Sequence, residues 1–307
     1  MIQLRFFPLL LLGASLLFAC CGNSSAPADR TATQPTFHFQ PPQPPFHLDR
    51  DGQIDYLRHH YWDRFDFGDT LAIKGVDTAI MVQHFGLYTM LISKPEPNTK
   101  AIEALFKRAA SSRPMLDLFL FLAEQVLHDP NSPMRNDELY IPVLEAQLAT
   151  DFYDEYERIA PAYDLAMAKK NRIGQPANDF RFTTADGQTS SLYKLKAERL
   201  LIFFNNPDCA MCKELREQIG ASPRCSEALR SGRLKILALY PDEDLDAWHR
   251  YRPNIPNSWI NSYDKGCRIR EEELYQIDAI PSLYLLDEQK RVLVKDATDV
   301  QLIEHYL

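Results

Sequence analysis

Positive charge is in short supply in this chain: 34 Lys and Arg stand against 42 Asp and Glu, a net charge of −8. No basic run or aromatic-basic stripe tracks a phosphate backbone, so no nucleic-acid partner is expected. The apolar run FFPLLLLGASLLFA at residues 6–19 is broken by Pro8 and Gly13 and is too short to read as a membrane-spanning helix. Cysteines are few, six in 307 residues, and two of them form a CxxC at Cys209 and Cys212. That motif lacks what haem and zinc would require. Lys213 stands where c-type haem attachment needs histidine, and no second ligand pair completes a zinc site, since only the isolated Cys225 and Cys267 remain. His59, His60, His84 and His128 show no spacing such as HExxH, and read as core and surface residues. No metal and no cofactor is expected.

What is present begins with a leader. One positive charge, Arg5, precedes the apolar run, which ends in LFAC; Leu17 and Ala19 hold the branched and small positions of a lipobox. Residues 1–19 therefore read as a lipoprotein signal peptide and Cys20 as the lipidated first residue of an exported protein. The absence of an acidic run after Cys20 points to a periplasmic face of the bacterial envelope, with the membrane reached through the lipid. Residues 20–46 are rich in Ser, Ala and Pro and close with PPQPP, the composition of an extended tether.

Over residues 47–172 strand-like alternation is missing and helical spacing takes its place. Ile54, Leu57, Tyr61 and Phe65 mark one helix before Gly68; Val82, Phe85, Thr89 and Ile92 mark a second. Asn98 or Thr99 can cap a third through Ala109. MLDLFLFLAEQVLHD at 115–129 is apolar nearly all round and is expected at the centre. Two more helices are expected between Asp137 and Asn171, with Pro142 and Pro161 near starts or kinks and Gly174 ending the last. The acids of this domain fall on expected solvated faces, and it carries no catalytic constellation.

The remaining residues, 173–307, alternate strand and helix, an α/β pattern with a mixed sheet. Strands are expected at 201–204, 234–240, 282–286 and 291–295, and helices from Cys209 to about Gly220, around Leu245–Tyr251 and from Asp299. DEQK at 287–290 supplies a hairpin turn, and Trp248 and Trp259 read as core. FFNNPDCAMCKEL at 203–215 carries the chemistry. An apolar strand ends in a turn and the two cysteines open a helix, so they share one face at bonding reach, while the first-turn N–H groups and the helix dipole favour a thiolate on the first. Cys209 would attack and Cys212 resolve.

Taken with AIPSLYLLD at 279–287, this motif resembles the thioredoxin superfamily, in which a cis-proline before a strand lies against the CxxC disulfide. IGQPANDFRFTTADGQTSSLYKLKAERLLIFFNN at 173–206 resembles the TlpA/ResA-like branch, and the WINSYDKG and PSLYLLD segments agree. The whole arrangement is similar to the DUF5106-containing thioredoxin-like lipoproteins of Bacteroidetes. The resemblance implies an α+β two-domain protein, an all-helical domain at 47–172 followed by a thioredoxin-like domain at 173–307. It implies a membrane-anchored thiol-disulfide oxidoreductase that acts as a reductant on exported protein thiols and disulfides, fed by a membrane electron donor, with Pro281 as the cis-proline and Ile280 and Pro281 holding the substrate.

The sequence departs from that pattern at Asp208, which replaces the usual tryptophan before the nucleophile. Asp208 is expected as the helix N-cap; its charge would oppose the thiolate that Lys213 and the dipole favour. Three arrangements stay open for Cys225 and Cys267: a second disulfide, two unpaired buried thiols, or a pair relaying electrons. The rival to an enzyme is a partner-binding module whose CxxC is a structural disulfide.

Overall fold

The computed structural model describes residues 39–69, 73, 75, 77–94 and 97–307. The leader, Cys20, Cys21 and most of the expected tether lie outside the described residues. Among those residues no helix is long and apolar enough to cross a membrane.

The helical part comprises α1 (Arg50–His60), α2 (Thr78–Ile92), α3 (Thr99–Ala109), α4 (Arg113–Ala123), which runs on as a π-helical turn at Glu124–His128, α5 (Asp137–Leu148) and α6 (Ile159–Ala168). Side-chain caps set most of the starts: Asp49, Asp77, Asn98, Ser112 and Asn136 each accept a first-turn N–H. The first helix stops sooner than its spacing suggests. Tyr61 and Phe65 are instead delivered to the core by the turns that follow α1. α4 is central as expected, with Phe119 fully buried among Trp62, Phe65 and Phe67. Pro142 lies inside α5 and is buried. Gly174 does not end α6, which stops at Ala168; its left-handed φ of 79° serves the connector beyond. The tether expectation also needs correcting at its far end. Phe39 stacks on Trp62 with centroids 4.9 Å apart and is buried, because an aromatic ring beside a pocket of aromatics gains more from burial than a proline-rich coil gains from solvation.

The sheet part holds β1 (Arg181–Thr184), β2 (Thr189–Ser191), β3 (Arg199–Phe204), α7 (Ala210–Ala221), α8 (Pro223–Arg230), β4 (Leu234–Tyr240), α9 (Leu245–Tyr251), β5 (Ile260–Tyr263), the single turn α10 (Arg268–Glu271), β6 (Ser282–Leu286), β7 (Val292–Ala297) and α11 (Val300–Glu304). The seven strands form one mixed sheet in the order β2-β1-β5-β4-β3-β6-β7. β3 pairs in parallel with β4 and antiparallel with β6; β6 and β7 are antiparallel, as the DEQK turn requires. β5, α8 and the single turn α10 are additions to the sequence expectation.

Side-chain alternation splits the strands between two cores. Leu201 and Phe203 of β3, with Leu283 and Leu285 of β6, pack under α7 and α8. Leu200, Ile202 and Phe204, with Tyr284 and Leu286, face a second layer with Phe182 and Tyr275. Trp248 and Trp259 are buried.

Polar contacts join the helical part to β7 and the segment before β6. The Lys295 side chain is 6% exposed and meets Asp137 at 2.6 Å, and its ammonium also donates to the carbonyls of Ala168 and Lys170. Arg135 reaches Asp296 and Asp278. The connector then pairs with the start of β7 and the turn before it: Gly174 and Ala177 donate to the carbonyls of Val292 and Lys290, and Val292 donates to the carbonyl of Gln175.

Candidate active site

Strand register brings the two sequence motifs together. Phe204, at the end of β3, pairs with Ser282, at the start of β6, so the loop leaving β3 and the loop entering β6 lie side by side. Asn205 anchors the first loop. It is buried, and its side-chain amide donates to the carbonyls of Phe203 and Leu239 at 3.0 and 3.3 Å. Asn206 donates to Asp242 at 2.9 Å.

Asp208 does not cap α7. Its backbone sits in the left-handed region at φ 59°, and its carboxylate makes no hydrogen bond or ion pair among the described residues. The turn moves the capping position one residue on: Cys209 is the N-cap, and its Sγ accepts the N–H of Cys212 at 3.0 Å. The first thiol thus sits on the positive end of the helix, where a developing thiolate has an N–H aimed at it. Cys209 and Cys212 form a disulfide with Cα atoms 5.2 Å apart. Cys209 is partly exposed, whereas Cys212 is fully buried. Lys213 is exposed and lies 4.0 Å from Glu217, a pairing along the helix.

The Ile280–Pro281 peptide bond is cis, and the Ile280 carbonyl oxygen lies 3.7 Å from Cys209 Sγ. The next residue, Ser282, donates to Asp296 at 2.6 Å. Asp296 in turn receives Arg135 from the helical part, so one guanidinium touches residues on both sides of the proline, Asp278 before it and Asp296 behind it. Burial raises the pKa of Asp296 against the opposing pull of Arg135 and the Ser282 hydroxyl. Sequence reasoning missed this contact, because nothing local marks two residues so far apart in the chain as partners.

Cys225 and Cys267 are both unpaired and buried. Burial pushes both thiols up, which removes thiolate character.

A family model described as a domain of unknown function, DUF5106, matches residues 20–171. A crystal structure of a thioredoxin-like protein from Bacteroides caccae is similar over 87% of this chain and 97% of its own, at 40% identity and a TM-score of 0.81. The chain belongs to the DUF5106-bearing thioredoxin-like proteins. The C-terminal domain of an uncharacterised protein from Bacteroides fragilis is 44% identical over 45% of this chain and 97% of its own, with a TM-score of 0.44. The thioredoxin domain of a thiol-disulfide oxidoreductase from Bacteroides vulgatus is 17% identical over 44% of this chain and 95% of its own, with a TM-score of 0.39. No curated protein matches. DUF5106 covers the helical part, and the likeness to the thioredoxin-like protein extends over most of the chain.

Proposed function

We propose that this thioredoxin-like protein is a membrane-anchored thiol-disulfide oxidoreductase that reduces exported proteins at the periplasmic face, held there by lipid on Cys20. The observation that carries the reading is the asymmetry of the CxxC: a partly exposed sulfur on a helix N-terminus beside a backbone carbonyl, and a fully buried partner.

In the reduced protein the Cys209 thiolate attacks one sulfur of a substrate disulfide and expels the other as a thiolate. The new bond is a mixed disulfide. Cys212 then loses its proton, attacks Cys209 Sγ and releases the second substrate sulfur, leaving the Cys209–Cys212 disulfide. Two electrons pass to the substrate, and its thiolates take up the two protons given by the cysteines. An external dithiol at the membrane restores the reduced pair by the reverse sequence. Ile280 and Pro281 hold the substrate backbone by short strand-like pairing at the Ile280 carbonyl. Asp208 and Lys213 modulate from outside the cap, as solvent-facing charges near the opening.

The test is the equilibrium potential of the pair in the full chain, titrated in dithiol buffers and read by thiol trapping. Cys209→Ser serves as control, with exchange expected to fall to background. A reversible couple near the roughly −270 mV of thioredoxins supports a reductant, and one near about −120 mV makes the protein an oxidant. A pair inert to exchange transfers the case to a partner-binding module.

A further inference from the structure

A cavity of about 360 Å³ opens beside the disulfide, between the helical part and the sheet part. Ile280 belongs both to its wall and to the sulfur site, since its carbonyl is the one 3.7 Å from Cys209. The opposite wall is α6, which contributes Tyr163, Asp164 and Met167.

The cavity is acidic, and its acids differ in one respect. Asp242 is paired with Arg270 at 3.2 Å, Asp278 with Arg135 at 3.1 Å, and Glu273 lies 3.6 Å from Lys170. Asp164 has no hydrogen bond or ion pair among the described residues; it is half-buried, burial raises its pKa, and the opposing influence is the charge of His128, which lines the same cavity. Gln276, 8% exposed, lines the same cavity with its side-chain oxygen lacking a donor. A carboxylate faced only by an imidazole with which it makes no ion pair, and an amide oxygen without a donor, leave room for the same ligand chemistry, a positively charged group bearing N–H bonds.

The surface outside the cavity indicates what carries that group. Ile159 and Tyr163, spaced for one face of α6, are 63% and 50% exposed, and Tyr156 before the helix is 83% exposed. Within the CxxC itself, Met211 is 60% exposed. Exposed apolar side chains thus lie both on the helix that walls the cavity and within the CxxC, a spread suited to an extended polypeptide rather than a small amine.

We propose that α6 forms one wall of a substrate cleft, in which Asp164 receives a lysine or arginine that flanks the reactive cysteine of a protein substrate. This inference rests on the redox reading for its cysteine and on the cavity for its charge preference.

Binding and exchange are measured separately, on the full chain. Fluorescent peptides carry serine in place of the reactive cysteine, and a single lysine is placed in turn at two to five residues to either side, with glutamine and glutamate controls. In at least one register the lysine peptide is expected to bind about fivefold tighter than the glutamine peptide. Asp164→Asn brings that ratio to about one, and Asp164→Lys reverses the order in favour of glutamate. Circular dichroism and thermal melting establish that both variants fold. No discrimination in any register, or a preference that survives Asp164→Asn, overturns the proposal. Competition by n-butylamine as effective as that by peptide would overturn the polypeptide assignment. Cysteine peptides in the same register, linked as disulfides and driven by dithiothreitol, should be turned over with the same order of preference. If the binding preference holds and no disulfide is turned over, the redox reading fails and the cleft stands.

Discussion

The helical part and the sheet part bury their apolar residues differently. The helices surround one continuous cluster in which Phe39, Trp62, Phe65, Phe67 and Phe119 pack ring against ring, some stacked and some edge to face. The strands divide theirs between two faces, and the reactive pair lies where the strand ends leave the sheet. Between the two parts the contacts change character, to Arg135 with Asp296 and Lys295 with Asp137. Apolar packing is tolerant of exchange among shapes of similar volume, whereas a buried charge pair is tolerant of very little. The helical part thus owes its existence to its aromatics and its placement against the site to its charges.

Emptying the aromatic cluster should break the comparison most severely. Phe119→Ala removes a fully buried ring and is expected to cost about 3–5 kcal/mol, read by urea denaturation with Trp62 fluorescence. The Cys209–Cys212 potential should stay where it was. A matching shift in potential would show that the two parts are one energetic unit.

The charged seam comes next. Arg135→Met leaves Asp296, whose side chain is 10% exposed, without its cation, and should cost about 3 kcal/mol. Neither Arg135 Nε nor Asp296 Oδ2 has an aligned hydrogen bond, so the contact is chiefly one of charge with charge. Adding Asp296→Asn should return part of the loss, and exchange should slow in the single variant because Asp278 and Ser282 flank the proline loop. A double-mutant cycle with no coupling would remove the seam from the account.

The smallest effect is in pH. The pKa of Asp296 is raised in the folded chain, chiefly by burial, with Asp137 and Asp278 adding to the rise and Arg135 and Ser282 opposing it. A raised carboxyl pKa means that the folded state holds the proton more tightly than the unfolded state. The group's stabilisation is therefore complete below the unfolded pKa and is lost as pH climbs through the folded one. Asp296→Asn should flatten stability over that rise, measured by urea midpoints across the pH series.

Much of this was legible from local pattern. The strand-turn-helix around Cys209, the strand after Pro281, the DEQK hairpin and the cap at Asn98 each rest on residues close together in sequence. The misses share a different origin. Asp208 looks like a cap by residue type, yet a left-handed backbone passes that role to Cys209. β5 contains Asn261 and Ser262, residues poor in strand propensity, and forms because β4 and β1 lie on either side of it. Asp164 reads as a solvated helix acid until the sheet part closes over it; the nearby spacing of Ile159, Tyr163 and Met167 along one helical face was the signal that this face was not ordinary surface. Arg135 and Asp296 are partners only through tertiary structure.

The connector along β7 has a consequence for behaviour in concentrated solution. An outermost strand with open N–H and C=O groups is a template on which another chain can add, and proteins that leave one bare tend to associate through it. Here residues 174–177 cover the start of that edge, through three backbone hydrogen bonds to Lys290 and Val292, and the strand at the opposite margin, β2, is only Thr189–Ser191. The chain therefore shortens its own open edge, and what shortens it is the stretch that joins the helices to the sheet.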